Sequence, residues 1–240
     1  MLNKIKVIGF DADDTLWVNE PYFRDAEFKL AKILKPLAPE TDIIAELYKT
    51  EMKNLELYGY GAKAFTLSLI ETAVKLSGNQ VQASIINEIL KMGKALMNIS
   101  IELIDSVDTL LPKLQNKYKL IVVTKGDLLD QERKLMKSGL LPYFHHIEIM
   151  SDKKESDYRK LIKHLGILPE EFMMVGNSVK SDIIPVINIG GVGVHVPFHI
   201  TWQHETVYET PTNHYYEIEY ISQLVDILMD YDKNQILKSV

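Results

Sequence analysis

Five short apolar runs, set among helical patterns, restrict the fold of this chain more than any other feature. They are Ile5–Phe10, Leu120–Thr124, His146–Met150, Phe172–Val175 and Val192–Val196. They are rich in Val, Ile and Met and do not alternate strictly with polar residues. Strands covered on both faces read this way. Helical patterns fall at Ser106–Tyr118, Leu128–Ser138, Asp157–Leu165 and Ser181–Ile189. The last three stop at Gly139, Gly166 and Gly190-Gly191, residues suited to a helix C-terminus. Strand and helix in alternation predict an α/β fold whose core is a doubly wound, Rossmann-like parallel sheet.

The first interval breaks this rhythm. Between Trp17 and Ser100 no strand pattern stands out; helical patterns lie at about Tyr22–Leu37, Asp42–Leu57, Ala62–Ser77 and Gln82–Asn98. Pro36, Pro39, Gly59, Gly61 and Gly78 punctuate them. That is more helix than a βα crossover needs. Residues 17–100 are therefore expected to form an all-helical domain inserted after the first strand, with 1–16 and 101–240 building the α/β core. A long loop from Pro197 to Pro211, a final strand at Tyr216–Tyr220 and a helix at Ser222–Met229 are expected to complete it.

Bulk properties exclude several classes. The chain has no Cys, so disulfides and thiolate chemistry are ruled out. No apolar stretch is long enough for a bilayer span, and Met1–Lys6 leads into the first strand with no signal-peptide cleavage region. These features favour the cytoplasm and no membrane partner. A net charge of -6 argues against a general nucleic-acid binder.

The first strand runs into Asp11-Ala12-Asp13-Asp14-Thr15, which places carboxylates two residues apart at a strand's C-terminal end. Open α/β sheets bind ligands at that edge. Crowding like charges there raises the free energy of the fold, so a cation or a reaction is the expected reason for it. As a plain turn or helix N-cap, the same residues would do no chemistry.

The pattern Asp11-x-Asp13-x-Thr15-Leu16 resembles the first motif of the haloacid dehalogenase superfamily, most of whose members are phosphatases. Further stretches support this in order. Thr124-Lys125-Gly126 ends the second strand and looks like the Ser/Thr motif; Lys153, after the third strand, looks like the basic motif. Gly176-Asn177-Ser178-Val179-Lys180-Ser181-Asp182 follows the fourth strand and is similar to the acidic motif. The resemblance extends to about Val196, and the inserted helices look like the family's α-helical cap.

Charge explains why such a site would want a metal. A phosphate monoester carries nearly two negative charges, and two unit charges about 4 Å apart repel by roughly 4 kcal/mol at an effective dielectric of 20. Mg²⁺ prefers carboxylate, carbonyl and phosphate oxygens and would offset this. The resemblance implies that Asp11 is metal ligand and nucleophile and that Asp13 binds metal through its backbone carbonyl, its side chain serving as acid and base. It further implies that Thr124 hydrogen-bonds a phosphoryl oxygen and that Lys153 neutralises developing charge. Backbone N–H groups from Ala12 to Thr15 would cradle the phosphate, with Thr15 fixing that loop.

Some positions stay open. The family's acidic motif usually begins Gly-Asp; here Asn177 offers one neutral oxygen, and Asp182 or a water could stand in. Lys125 stands where relatives commonly have Asn, and together with Gly126 it is a candidate phosphate contact or a surface residue. Lys153 and Lys154 are adjacent, and the interval to Tyr158 favours Lys153. Trp17 either packs at the domain junction or borders the substrate. Four of the seven histidines (His195, His199, His204 and His214) fall in or near the C-terminal loop, where exposed loop residues outrank a zinc site.

The expected activity is Mg²⁺-dependent hydrolysis of a small phosphorylated metabolite. Phosphosugars, phosphoglycolate-like acids and nucleoside monophosphates are all open, as is the oligomeric state. One alternative is a metal-free 2-haloacid dehalogenase, whose aspartate attacks carbon; those enzymes lack a carboxylate at the place of Asp13. Others are a receiver domain, normally far shorter and without inserted helices, and a catalytically weak protein that binds a phosphorylated ligand.

Overall fold

The computed structural model describes residues 2–207 and 214–229. Contacts divide the chain into two compact units. The first is built from the residues up to Val18, Ile101–Thr124 and the chain from Lys134 on. The second is Asn19–Ser100 with Lys125–Arg133. No helix among the described residues is long and apolar enough to cross a membrane.

The first unit contains a six-stranded sheet in the order β3-β2-β1-β4-β5-β6. Its strands are β1 (Val7–Phe10), β2 (Lys119–Lys125), β3 (His146–Met150), β4 (Phe172–Gly176), β5 (Val192–His195) and β6 (Tyr216–Glu217). The ladders of β1 with β2, β1 with β4, β4 with β5 and β5 with β6 are parallel. This is the doubly wound architecture expected from the sequence. The order reverses between β1 and β4, and that reversal opens a crevice at the carboxyl ends of the two strands.

Side-chain alternation explains why every strand reads as apolar. Ile8, Phe10, Met173 and Val175 enter one core with Val107, Leu110 and Leu111 of helix α5 (Val107–Leu114) and with Ile221, Leu224 and Leu228. Val7, Phe172 and Met174 enter the opposite core with Tyr158, Leu161 and Ile162 of α7 (Glu155–Leu165). Successive residues thus point to opposite faces, and both faces are covered. Burying Ile8 and Phe10 alone stabilises the fold by about 3–6 kcal/mol, enough to fix β1 despite the charges at its end. Gly9 is required at its position, since a Cβ there would meet the Phe172 ring at 2.8 Å.

Two helices remain: α6 (Leu128–Ser138), whose residues up to Arg133 are grouped with the second unit and the rest with the first, and α8 (Ile184–Asn188) of the first. The sequence predicts one helix over Ser181–Ile189, but the chain runs Val179–Ile183 as a wide π turn before α8 begins. Pro185 has no N–H to give the Ser181 carbonyl, and the Tyr158 hydroxyl donates there instead at 3.1 Å. β6 is shorter than its predicted strand, and the final helix begins as a turn at Ile221–Gln223 followed by helical residues 224–229. The predicted loop from Pro197 contains a 3₁₀ turn at Gln203–Glu205; its residues 208–211 lie outside the described ones.

The second unit is helical, as its periodicity predicts: α1 (Glu20–Leu34), α2 (Ile43–Tyr58), α3 (Ala62–Leu76) and α4 (Ala83–Leu96). Asp42 caps α2, accepting the Ala45 N–H at 3.0 Å. Leu30, Leu34, Leu47, Phe65, Leu69 and Ile89 fill its core. This unit also buries acid. Arg24 pairs with Glu20 at 3.3 Å and with Glu27 at 3.1 Å. Burial and the neighbouring Glu27 push the Glu51 carboxyl up to about 8, against the pull of Arg24.

A carboxyl that binds its proton more tightly folded than unfolded stabilises the fold below its ordinary value and loses that contribution as pH rises through the folded value. For Glu51 the window runs from 4.5 to about 8. Glu51→Gln is therefore expected to be more stable than the parent at pH 8 and indistinguishable from it near pH 4.5, as read by thermal unfolding at both pH values. A variant less stable than the parent at pH 8 contradicts this.

Candidate active site

Asp11 follows β1 directly, and its N–H donates to the Val175 carbonyl of β4 at 2.9 Å. The registers Phe10↔Val122 and Phe10↔Val175 place Thr124 on β2 and Asn177 after β4 at this same edge. The sheet thus delivers three of the predicted site residues to its switch point. The chain then folds back tightly: the Leu16 N–H donates to Ala12 O at 2.8 Å and the Asp14 N–H to Trp17 O at 2.7 Å. The turn needs Asp14 at φ 62°, a left-handed conformation that costs an L-residue about 1–2 kcal/mol.

Lys153 arrives from the loop between β3 and α7. Its Nζ lies 2.5 Å from Asp11 Oδ1 and 2.6 Å from Asp182 Oδ1, and all three side chains are buried. Lys154, by contrast, is exposed and pairs with Asp152 at 3.0 Å. Of the adjacent lysines, only Lys153 is placed against Asp11.

The loop between β4 and α8 brings in the other carboxylate. The Ser178 N–H donates to Asp182 Oδ2 at 3.0 Å, and the Asp182 N–H returns to Ser178 O at 2.8 Å. Gly176 makes room for this: a Cβ there would lie 2.2 Å from Asp182 Oδ2. Thr15 ties the loop to the first motif. Its Oγ1 accepts the Asn177 N–H at 3.1 Å and lies 3.2 Å from Asp11 Oδ2 and 3.3 Å from Asn177 Oδ1.

Asp13 has different partners. Its Oδ1 accepts the Trp17 indole N–H at 2.7 Å, and Lys134 Nζ lies 3.0 and 3.3 Å from its two oxygens. Trp17 is 1% exposed, so it is a packed neighbour of the Asp13 carboxylate. Thr124 is buried at the end of its ladder. Lys125 and Gly126 belong to the helical unit, where Lys125 Nζ lies 4.3 Å from the Tyr60 ring centroid.

One ammonium faces two carboxyl groups, so Asp11, Lys153 and Asp182 together carry a net charge of −1 once both carboxyls are ionised. Burial, reinforced by Asp182, raises the Asp11 carboxyl to about 7 against the opposing pull of Lys153. Burial also works against the Lys153 charge, but the two carboxylates outweigh it and hold the amine above its ordinary value. The donor chemistry fits a divalent ion: hard oxygens of Asp11 and Asn177 meet at the Thr15 hydroxyl, beside an excess negative charge. Among the described residues no group of three His, Asp or Glu side chains forms a metal cage, so neutral oxygens would have to contribute.

Sequence reasoning missed Lys134. The structure alone reveals it: α6 buries Asp130, Gln131 and Lys134 beside Leu135, while the apolar Leu128, Leu129 and Met136 are exposed, the reverse of what the sequence pattern suggests. Sequence reasoning also missed Glu205, whose carboxylate accepts hydrogen bonds from Ser178 Oγ and, at 2.6 Å, from Ser181 Oγ. Nothing local marks that residue.

Known proteins bear on this arrangement. The chain is 23% identical over 200 residues to an N-acylneuraminate-9-phosphatase from Mus musculus, covering 79% of this chain and 81% of that protein. It is 25% identical over 199 residues to a glyceraldehyde 3-phosphate phosphatase from Methanopyrus kandleri, covering 80% of this chain and 84% of the relative. Its structure is similar to that of a haloacid dehalogenase-like family hydrolase from Xanthomonas campestris, with a TM-score of 0.84 at 34% identity, covering 97% of this chain and 95% of that one. The haloacid dehalogenase-like hydrolase family matches residues 5–190, a span that runs from before β1 to just past α8 and contains every site residue placed above except Glu205. The chain belongs to the haloacid dehalogenase-like hydrolases.

Proposed function

We propose that this hydrolase releases inorganic phosphate from a small phosphorylated metabolite through an aspartyl-phosphate on Asp11. The observation that carries the reading is the division of labour between two carboxylates: Asp11 sits on Lys153, and Asp13 sits on Lys134 and Trp17. A nucleophile and a separate acid–base group are what two-step hydrolysis requires. Attack on carbon by a dehalogenase needs no such second carboxylate.

Asp11 attacks phosphorus, a P–O bond forms to its carboxylate, and the ester P–O bond breaks. Asp13 protonates the departing alkoxide. A water then attacks phosphorus, gives its proton to Asp13, and the bond to Asp11 breaks to release phosphate. Lys153 supplies positive charge beside the transferring group, and Thr124 donates to one of its oxygens. Lys134 and Trp17 fix the Asp13 carboxylate in one orientation through both halves of the cycle. Asp11, Asn177 and the Asp13 backbone carbonyl would hold Mg²⁺, which when bound supplies the positive charge needed to bring a phosphate dianion to Asp11. The relatives' names direct the first substrate panel to triose phosphates and phosphorylated sialic acids.

Asp11→Asn is expected to lower phosphate release from p-nitrophenyl phosphate with Mg²⁺ by about 10³-fold or more. Undiminished turnover ends the aspartyl-phosphate reading. Lys134→Met is expected to lower kcat by at least about 10-fold with KM nearly unchanged, since a positioned acid–base group is worth roughly 10²–10⁴-fold. An unaltered kcat in that variant would remove Lys134 from its assigned role of orienting Asp13.

A further inference from the structure

The loop that presents Asn177 and Asp182 is held from two sides. On one side it is tied to the first motif through Thr15, and the Asn177 carbonyl lies 3.2 Å from His195 Nε2 on β5. On the other side stands the 3₁₀ turn Gln203–Glu205, which the sequence offers only as part of a long loop. Glu205 Oε2 accepts from the hydroxyls of both Ser178 and Ser181, at 2.6 Å from the latter. Ser178 Oγ in turn accepts the Ser181 N–H at 3.0 Å, so the hydroxyls and the carboxylate form one directed network. Lys180 Nζ adds a second tie, donating to His204 O at 2.7 Å.

These bonds lead to the reacting centre without a gap. Glu205 holds Ser178; the Ser178 N–H holds Asp182 Oδ2 at 3.0 Å; Asp182 Oδ1 holds Lys153 at 2.6 Å; Lys153 holds Asp11 at 2.5 Å. The charge on Glu205 is informative. It stands among groups that already carry a net negative charge, and the buried Tyr158 hydroxyl, bonded to Ser181 O, feels Asp182, Asp11 and Glu205 together. A neutral side chain would tie down a surface loop at lower electrostatic cost. A carboxylate accepts from two donors at once and binds each more strongly than a neutral acceptor does.

We propose that Glu205 is a positioning residue of the active site, clamping Ser178 and Ser181 so that Asp182 keeps Lys153 aligned on Asp11. Its kinetic consequence rests on the hydrolase reading above; the clamp itself does not. The π turn at Val179–Ile183 gives the clamp its purpose, because that short segment is closed by wide backbone bonds such as Ile184 N–H to Val179 O, and the Ser178 side chain caps its start.

The test uses the full chain with Glu205→Ala, Glu205→Gln and Ser178→Ala/Ser181→Ala, alone and combined with Glu205→Ala. Amide hydrogen exchange at Ser178 and Ser181 is expected to quicken by about 10-fold or more in Glu205→Ala, a local opening with global stability held. With p-nitrophenyl phosphate, kcat is expected to fall by about 10-fold or more with KM within about 2-fold, the scale seen when a partner that orients a site group is lost. Glu205→Gln should lie between, since its amide oxygen still accepts a hydrogen bond. The combined variant should be no slower than the serine pair alone, because residues acting through one another are not additive. Unchanged exchange and kcat in Glu205→Ala, or strictly additive losses in the combined variant, overturn the proposal. If the parent protein hydrolyses no phosphate ester, the functional reading fails by itself, and the exchange rates still decide for or against the clamp.

Discussion

A single buried ammonium shared between two buried carboxylates sets the terms for the rest of this molecule. Lys153 can neutralise only one of Asp11 and Asp182, and burial makes the second charge costly enough to raise the Asp11 carboxyl to about 7. Removing one partner of such a pair typically costs about 3–5 kcal/mol, so the arrangement survives only where the surrounding bonds enforce it. Gly176 clears the space for Asp182, the Ser178 N–H takes its second oxygen, and the Tyr158 hydroxyl closes the turn behind it. The same excess charge makes the centre receptive to a cation. Stability and chemistry here draw on one imbalance.

Topology decides where that imbalance can be placed. The sheet winds outward in both directions from the seam between β1 and β4, and the loops leaving those strands diverge to opposite sides. Asp11 and Asn177 follow the two strands at that seam and are joined through Thr15. Lys153 comes from the far side of β2 by way of β3. Residues remote in sequence therefore meet at one edge because parallel strands end together there. The large apolar cores on both faces hold that edge in register.

What the sequence disclosed follows from how local each feature is. The strands were legible because Val, Ile and Met recur where both faces are covered, and the inserted helices because their periodicity and their Gly and Pro boundaries are local. Asp11 and Asp13 stood out because charge at the end of an apolar strand contradicts the pattern around it, whereas Lys153 was marked only by the family resemblance and its interval to Tyr158. The π turn was missed because Pro185 acts through a tertiary partner, Tyr158, that no window of neighbouring residues contains. Lys134 and Glu205 were missed for the same kind of reason: one lies far along the chain from Asp13, the other in a segment with no periodicity. The buried polar stripe on α6 shows only once the helix is packed, and Glu205 has no local mark at all.

The pairing of Trp17 with Asp13 has an optical consequence. The chain holds two tryptophans, Trp17 and Trp202, and only the first is fully enclosed with its indole N–H on a carboxylate. Indole emission responds to a charge appearing or vanishing at such a distance. With Trp202 replaced by Phe, the emission of Trp17 would therefore report changes at the Asp13 carboxylate without any added label.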